Sequence, residues 1–158
     1  MRKMVFRGGA LVVAGLIAGG CGGGSGSSST VGGQGTFTSD FTLMVHRLKE
    51  TSHLIGLAIE HASSQTDAQL GATFSGLAAQ WETDESPLSS LTPPASVASP
   101  YRVLTGAATR AEADLNAIVA AAQTHSSSAA KLATTHLIHD ILQAKSASQT
   151  ITGRLGIS

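Results

Sequence analysis

One cysteine and six histidines are the residues of this sequence best suited to chemistry. Cys21 stands alone, which excludes an intramolecular disulfide and a cluster held by several thiolates. Its thiol is a strong nucleophile and, in a single copy, suits covalent modification. Among the histidines, Glu50 and His53 form a Glu-x-x-His pair, the spacing that di-iron bundles use on two of their four helices. Such bundles need the motif twice. Here it occurs once, because the stretch HLIHD offers His136 and His139 without the matching glutamate. The combination that separate helices could bring together is His61, Asp67, His125 and His136, a donor set that zinc or copper accepts. Haem has no C-x-x-C-H attachment sequence. Histidines on a solvated helix face need no special explanation, so the expectation is no metal and no cofactor, with those four residues as the ones to check.

Catalysis has less to build on. No G-x-S-x-G elbow occurs in the helical region, and no cysteine follows Cys21. Glu82, Asp84 and Glu85 gather where a solvated last helical turn accounts for them. Arg110 and Asp114 are four apart and are expected to form an exposed ion pair on one helix. Trp81 and Tyr101 flank a proline-rich connection, where they either pack beneath it or line a groove for a ligand or partner. The chain is expected not to be an enzyme.

Two kinds of segment must position these residues. The first thirty-five positions hold twelve of the eighteen glycines and no acidic residue, the first being Asp40. MRKMVFR is a basic start, and GGALVVAGLIAGG is an apolar run shorter than the roughly 20 residues that span a bilayer. The order is that of a secretory signal peptide over residues 1–20, and Arg2-Lys3 is not a twin-arginine pair. Residues 22–35, GGGSGSSSTVGGQG, have the composition of a flexible tether, with a reach of roughly 20 Å. Without Arg2, Lys3 and Arg7 the chain carries seven basic against ten acidic residues. That balance gives no electrostatic support for nucleic-acid binding.

AGGC, with Leu16 and Ile17 just upstream, resembles the lipobox of bacterial lipoproteins, although Ala18 stands where leucine is usual. The resemblance implies that Cys21 is diacylated on sulfur and becomes the new N-terminus after cleavage. Two or more acyl chains hold a protein firmly to a membrane. It further implies an extracytoplasmic, lipid-anchored location.

From residue 36 onward the spacing predicts four amphipathic helices. The first, capped by Thr38 or Ser39, has a seam of Phe41, Val45, Leu48, Ser52, Ile55, Ile59 and Ala62. TDAQ at 66–69 is a capping box that opens the second, which carries Leu70, Phe74, Leu77 and Trp81. Ser86-Pro87 predicts a short turn. Ser99-Pro100 predicts the start of the third, with Ser99 as cap and a seam of Tyr101, Leu104, Ala108, Ala111, Leu115, Ile118 and Ala122. The fourth follows THSSS, with Leu137, Ile141, Ala144, Ser148, Ile151 and Leu155 in its seam and Ile138 and Leu142 widening the stripe. Gly56, Gly71, Gly76 and Gly106 lie inside these helices, where close packing would offset their low propensity. Short connections favour an antiparallel up-down-up-down bundle over residues 36–158.

LTPPASV, DLNAIVAAAQTHSSSAA and the terminal RLGI are similar to stretches of alanine-rich actinobacterial lipoproteins, a family without an established activity. The resemblance supplies no catalytic or ligand residues. The expected function is a membrane-anchored, extracytoplasmic binding or structural module of the cell envelope. Its partners would be the membrane through the lipid, an envelope protein or a small ligand, and no nucleic acid. The alternative is a metal-binding or redox-active bundle using the histidines.

Overall fold

The computed structural model describes residues 30–157, and within them all regular structure is helical. The expected signal segment 1–20, Cys21 and most of the tether 21–35 lie outside the described residues. Four helices pack against each other: α1 (Thr30–His61), α2 (Asp67–Glu85), α3 (Ala98–Gln123) and α4 (Ser127–Leu155). Short 3₁₀ turns cover Ala62–Ser64, Ser86–Ser90 and Ala95–Val97. No described helix is long and apolar enough to cross a membrane.

Helix α1 begins eight residues before the expected cap at Thr38 and includes the last part of the expected tether. The hydroxyls of Ser39 and Thr42 donate back to the carbonyls of Gly35 and Thr38, one turn earlier in the same helix. Phe37 extends the seam by one turn from Phe41 and stacks on it at 5.5 Å between ring centroids. Both rings meet Tyr101, at 5.6 and 6.3 Å. This aromatic cluster, with Leu88 and Val97, closes one end of the core. Burying side chains of this size contributes about 1.5–3 kcal/mol each, enough to hold glycine-rich backbone helical.

Helix α3 also starts before its expected cap. Val97 precedes its first turn, and Ser99 and Pro100 lie inside that turn, where proline's missing N–H costs nothing. The α2 capping box is present, with Thr66 and Gln69 bonded reciprocally. At the C-terminus of α4, Gly156 takes the left-handed conformation (φ 67°) that glycine adopts without strain. The interior glycines are not sites of tight helix approach. A methyl on Gly71 would meet Ala122 at an ordinary 3.6 Å, and one on Gly56 or Gly76 would meet nothing.

The helices share their contacts unequally. α3 lies along both α4 and α2, α1 lies mainly on α2, and α1 and α4 touch only sparsely. Their buried faces turn accordingly. In α1 the residues buried beside Phe41, Leu48 and Ile55 are Thr51 and Ala58, while Val45, Ser52 and Ile59 are only half-buried. In α4 the heptad Ala133, Asp140, Ala147 is buried beside Leu137, Ala144 and Ile151. Ile141 and Leu155 are half-buried, although Ser148 is buried as expected. Ile138 and Leu142, expected to widen the stripe, are 45% and 57% exposed. Each outer helix has turned toward its inner neighbour and away from the other outer helix.

Polar ties fix these contacts. The buried Thr51 hydroxyl donates to Asp84 at 2.6 Å, and Gln80 donates to both oxygens of the same carboxylate at 3.1 Å. Asp84 is therefore a buried tie between α1 and α2, not part of a solvated turn. Trp81 donates from Nε1 to the Ala108 carbonyl at 2.9 Å, joining α2 to α3. Arg154 of α4 reaches the Ser96 carbonyl at 2.8 Å.

Candidate functional site

Where α1 ends and α4 begins, the sparse contact between them leaves a cavity of about 680 Å³. That lies within the range of roughly 300–1,000 Å³ typical of small-molecule sites. Its apolar lining comes from all four helices: Ile59 of α1, Leu70 and Phe74 of α2, Ile118 and Ala121 of α3, and Ala130 of α4. Phe74 and Ile118, each 1% exposed, belong at the same time to the core. Polar groups complete the lining: Ser63, Asp67, Ser126, Ser127, Lys131, Thr134 and Thr135. Ile59 lies 29 residues into α1, so the cavity is about 43 Å from the start of that helix at 1.5 Å per residue.

Local backbone chemistry builds this end. The α3 terminus is a Schellman motif, in which the Ser126 amide donates to the Ala121 carbonyl (2.9 Å) and the His125 amide to that of Ala122 (3.2 Å). His125 occupies the left-handed position (φ 52°) where glycine is usual. Its Nδ1 contacts the Asp67 carboxylate in the first turn of α2. Asp67 stands at the N-terminus of α2, where the helix dipole favours a carboxylate. The contact with His125 joins the two connections beside the cavity and occupies one oxygen of Asp67.

Ser126 caps α4 by accepting from the Ala129 amide at 3.4 Å, and the α4 hydroxyls of Thr134 and Thr135 donate to the carbonyls of Ala130 and Lys131. Lys131 makes no ion pair among the described residues. The amides of Ser127 and Ser128, in the first turn of α4, have no backbone acceptor there either.

A second, open depression of about 490 Å³ lies on the outside of α3 and α4, lined by Arg110, Asp114, His136, His139, Asp140 and Gln143. Arg110 does not pair along its own helix. It crosses to Asp140, whose carboxylate is 8% exposed, with Nε–O distances of 3.1 and 3.2 Å, and also to Gln143. Asp114 approaches His136 at 3.9 Å, and its Oδ2 is buried without a hydrogen-bond partner. Burial first, and then the charge of Asp140, push the Asp114 carboxyl above its ordinary value, against the opposing pull of His136 and Arg110. Burial and the neighbouring Glu85 similarly raise Glu112.

Of the four residues put forward as a metal cluster, only Asp67 and His125 meet. His136 lies in the second depression, and His61 ends α1 on the surface. Glu50 faces His46 at 3.5 Å rather than His53. Among the described residues no three His, Cys, Asp or Glu side chains form a group that could hold a metal ion. Trp81 and Tyr101 are 1% and 5% exposed and belong to the core. Tyr101 donates its hydroxyl to the Leu88 carbonyl beneath the proline-rich connection, and burial pushes its phenol up to about 12. Neither lines the cavity, and Cys21 lies outside the described residues.

The cavity itself is absent from the sequence reading. Its one signal there is compositional: the mixed Ser, Thr and Lys content of the first two turns of α4, beside a seam that should have been closed by larger side chains. No protein-family model matches the chain, and neither curated proteins nor solved structures provide a significant match.

Proposed function

We propose that the protein is a lipid-anchored, extracytoplasmic module of the cell envelope that binds a small molecule, without catalysing a reaction. The observation that carries the binding role is the cavity framed by all four helices, with an apolar floor and a few convergent polar groups. The anchor rests on Cys21 between an apolar run and a Gly/Ser stretch, and on the similarity of that stretch to bacterial lipoproteins. The paired residues Trp81 with Ala108, Gly71 with Ala122 and Arg110 with Asp140 support an up-down order of the helices. In that order the cavity faces away from the membrane. The similarity to alanine-rich actinobacterial lipoproteins belongs to the same proposal.

The anchor is tested by Cys21→Ser, expressed in a host with lipoprotein processing. The variant is expected in the medium or soluble periplasmic fraction, with the parent chain in the membrane fraction. Retention of the variant in the membrane overturns the anchor.

A further inference from the structure

We infer that the ligand of the cavity is a single-chain lipid whose alkyl chain leaves the cavity along the open seam between α1 and α4. This deepens the binding role proposed above and rests on it. The shape and surface of the seam point to a chain, and the polar rim does not choose its head group. Lys131, several hydroxyls and the second oxygen of Asp67 stand together there, so a neutral head is accepted as well as a charged one.

Each outer helix has a row of residues on the side of its buried stripe away from its inner neighbour. In α1, Thr51 marks the side toward α2 through its bond to Asp84, and Ser52, Gly56 and Ile59 form the row on the other side. In α4, Asp140 marks the side toward α3 through Arg110, and Thr134, Ile138 and Ile141 form the matching row. The rows start at the cavity, because Ile59 and Thr134 line it. There α1 ends and α4 begins, so both rows lead away from the cavity in one direction. The space between them is open at Gly56, which is half-buried, yet a methyl built on it would meet no atom within 4 Å. The walls are apolar even where the residues carry hydroxyls. Ser52 donates to the Leu48 carbonyl and Thr134 to that of Ala130, each turned back on its own helix. Ile138, exposed at the outer edge, and half-buried Ile141 continue the apolar wall. The seam is also narrow, since α1 and α4 still make contact. A partner helix of about 10–12 Å diameter would have to part them, and an alkyl chain would not. A compact ring system would fill the cavity and leave the seam uncovered.

The test uses the full chain carrying Cys21→Ser, so that no detergent competes, and uncharged probes below their solubility limits. Octanol, decanol and dodecanol differ only in chain length, and 1-adamantanol folds the same number of carbons as decanol into a cage. Isothermal titration is expected to show affinity rising about two- to fourfold with each added methylene, the worth of burying it in part or wholly. Decanol is expected to bind more tightly than 1-adamantanol. Gly56→Leu fills the seam with a residue that also favours the helix, so the fold is kept, and it is expected to remove the gain from octanol to dodecanol. Ala130→Trp, which fills the cavity from α4, is expected to weaken binding of all four probes. Affinity independent of chain length, 1-adamantanol binding as tightly as decanol, or an unaltered gain in Gly56→Leu overturns the chain assignment and leaves the binding role standing. Failure of all four probes to bind the chain without the seam and cavity changes overturns the binding role itself. Undiminished binding by Ala130→Trp refutes the location, and the chain assignment with it.

Discussion

Replacing Thr51 with valine isolates the tie that holds α1 in place. The two side chains have nearly the same shape, so the change leaves no cavity and removes only the hydroxyl. That hydroxyl donates at 2.6 Å to Asp84, and both residues are 3% exposed, so water cannot readily replace it. What remains for the carboxylate is Gln80, one amide nitrogen shared between two oxygens at 3.1 Å. A hydrogen bond to a charged group is worth about 1.5–3 kcal/mol, and that is the expected loss in urea unfolding followed by circular dichroism. At about 2.1 cal/mol/K per residue for a domain of roughly 130 residues, the melting temperature falls by roughly 5–11 °C. Thr51→Ser keeps the donor and recovers most of the loss. The double change Thr51→Val with Asp84→Leu removes both partners and costs much less than the two single changes together. A loss below about 0.5 kcal/mol in Thr51→Val, or an additive double variant, would refute the role given to this pair. Because α1 has few contacts with α4, its loosening should also widen the cavity at Ile59.

Arg110→Met leaves Asp140 inward-facing without its cation, and the expected cost is about 1–2 kcal/mol, reduced by the half-exposed guanidinium. Adding Asp140→Leu restores stability in the same denaturation assay; a further loss in the double variant would show that the pair is not the cause. Asp114→Asn tests the raised carboxyl. A group whose folded-state pKa lies above its unfolded value takes up a proton on folding in the interval between the two. The parent chain therefore gains stability from Asp114 as the pH falls from neutrality toward 3.8, and loses it as the pH rises through the folded pKa. Relative to Asp114→Asn, the melting temperature of the parent should rise on acidification; a pH-independent difference between the two refutes this.

The helices were legible wherever one residue decides local geometry. Thr66 and Gln69 cap α2 as their spacing requires, and Leu48, Ile55, Leu115, Leu137 and Ile151 are buried where their spacing places them. The starts of α1 and α3 were less legible, because Ser39 and Ser99 resemble caps locally while buried Phe37 and Val97 carry the structure past them. The tie of Asp84 to Thr51 and of Arg110 to Asp140 is not legible in the sequence, since a helix pattern describes neighbours three and four residues away and says nothing of the facing helix.

A sequence by itself determines period: which residues of a helix share a stripe follows from 3.6 residues per turn. In this chain it thereby determined that there would be four amphipathic helices and roughly which residues would line their seams. It did not determine the angle at which each stripe is set against its neighbours. A helix rich in alanine, glycine, serine and threonine has small side chains on several adjacent faces, so rotating it by one seam position costs little in buried area. The packing energies of whole helix pairs decide that angle, and here they turn α1 toward α2 and α4 toward α3. Thr51 and Asp140 were thereby brought inside, Ile138 and Leu142 were left outside, and the cavity at Ile59, Phe74 and Lys131 opened between helices whose spacing alone predicts a closed seam.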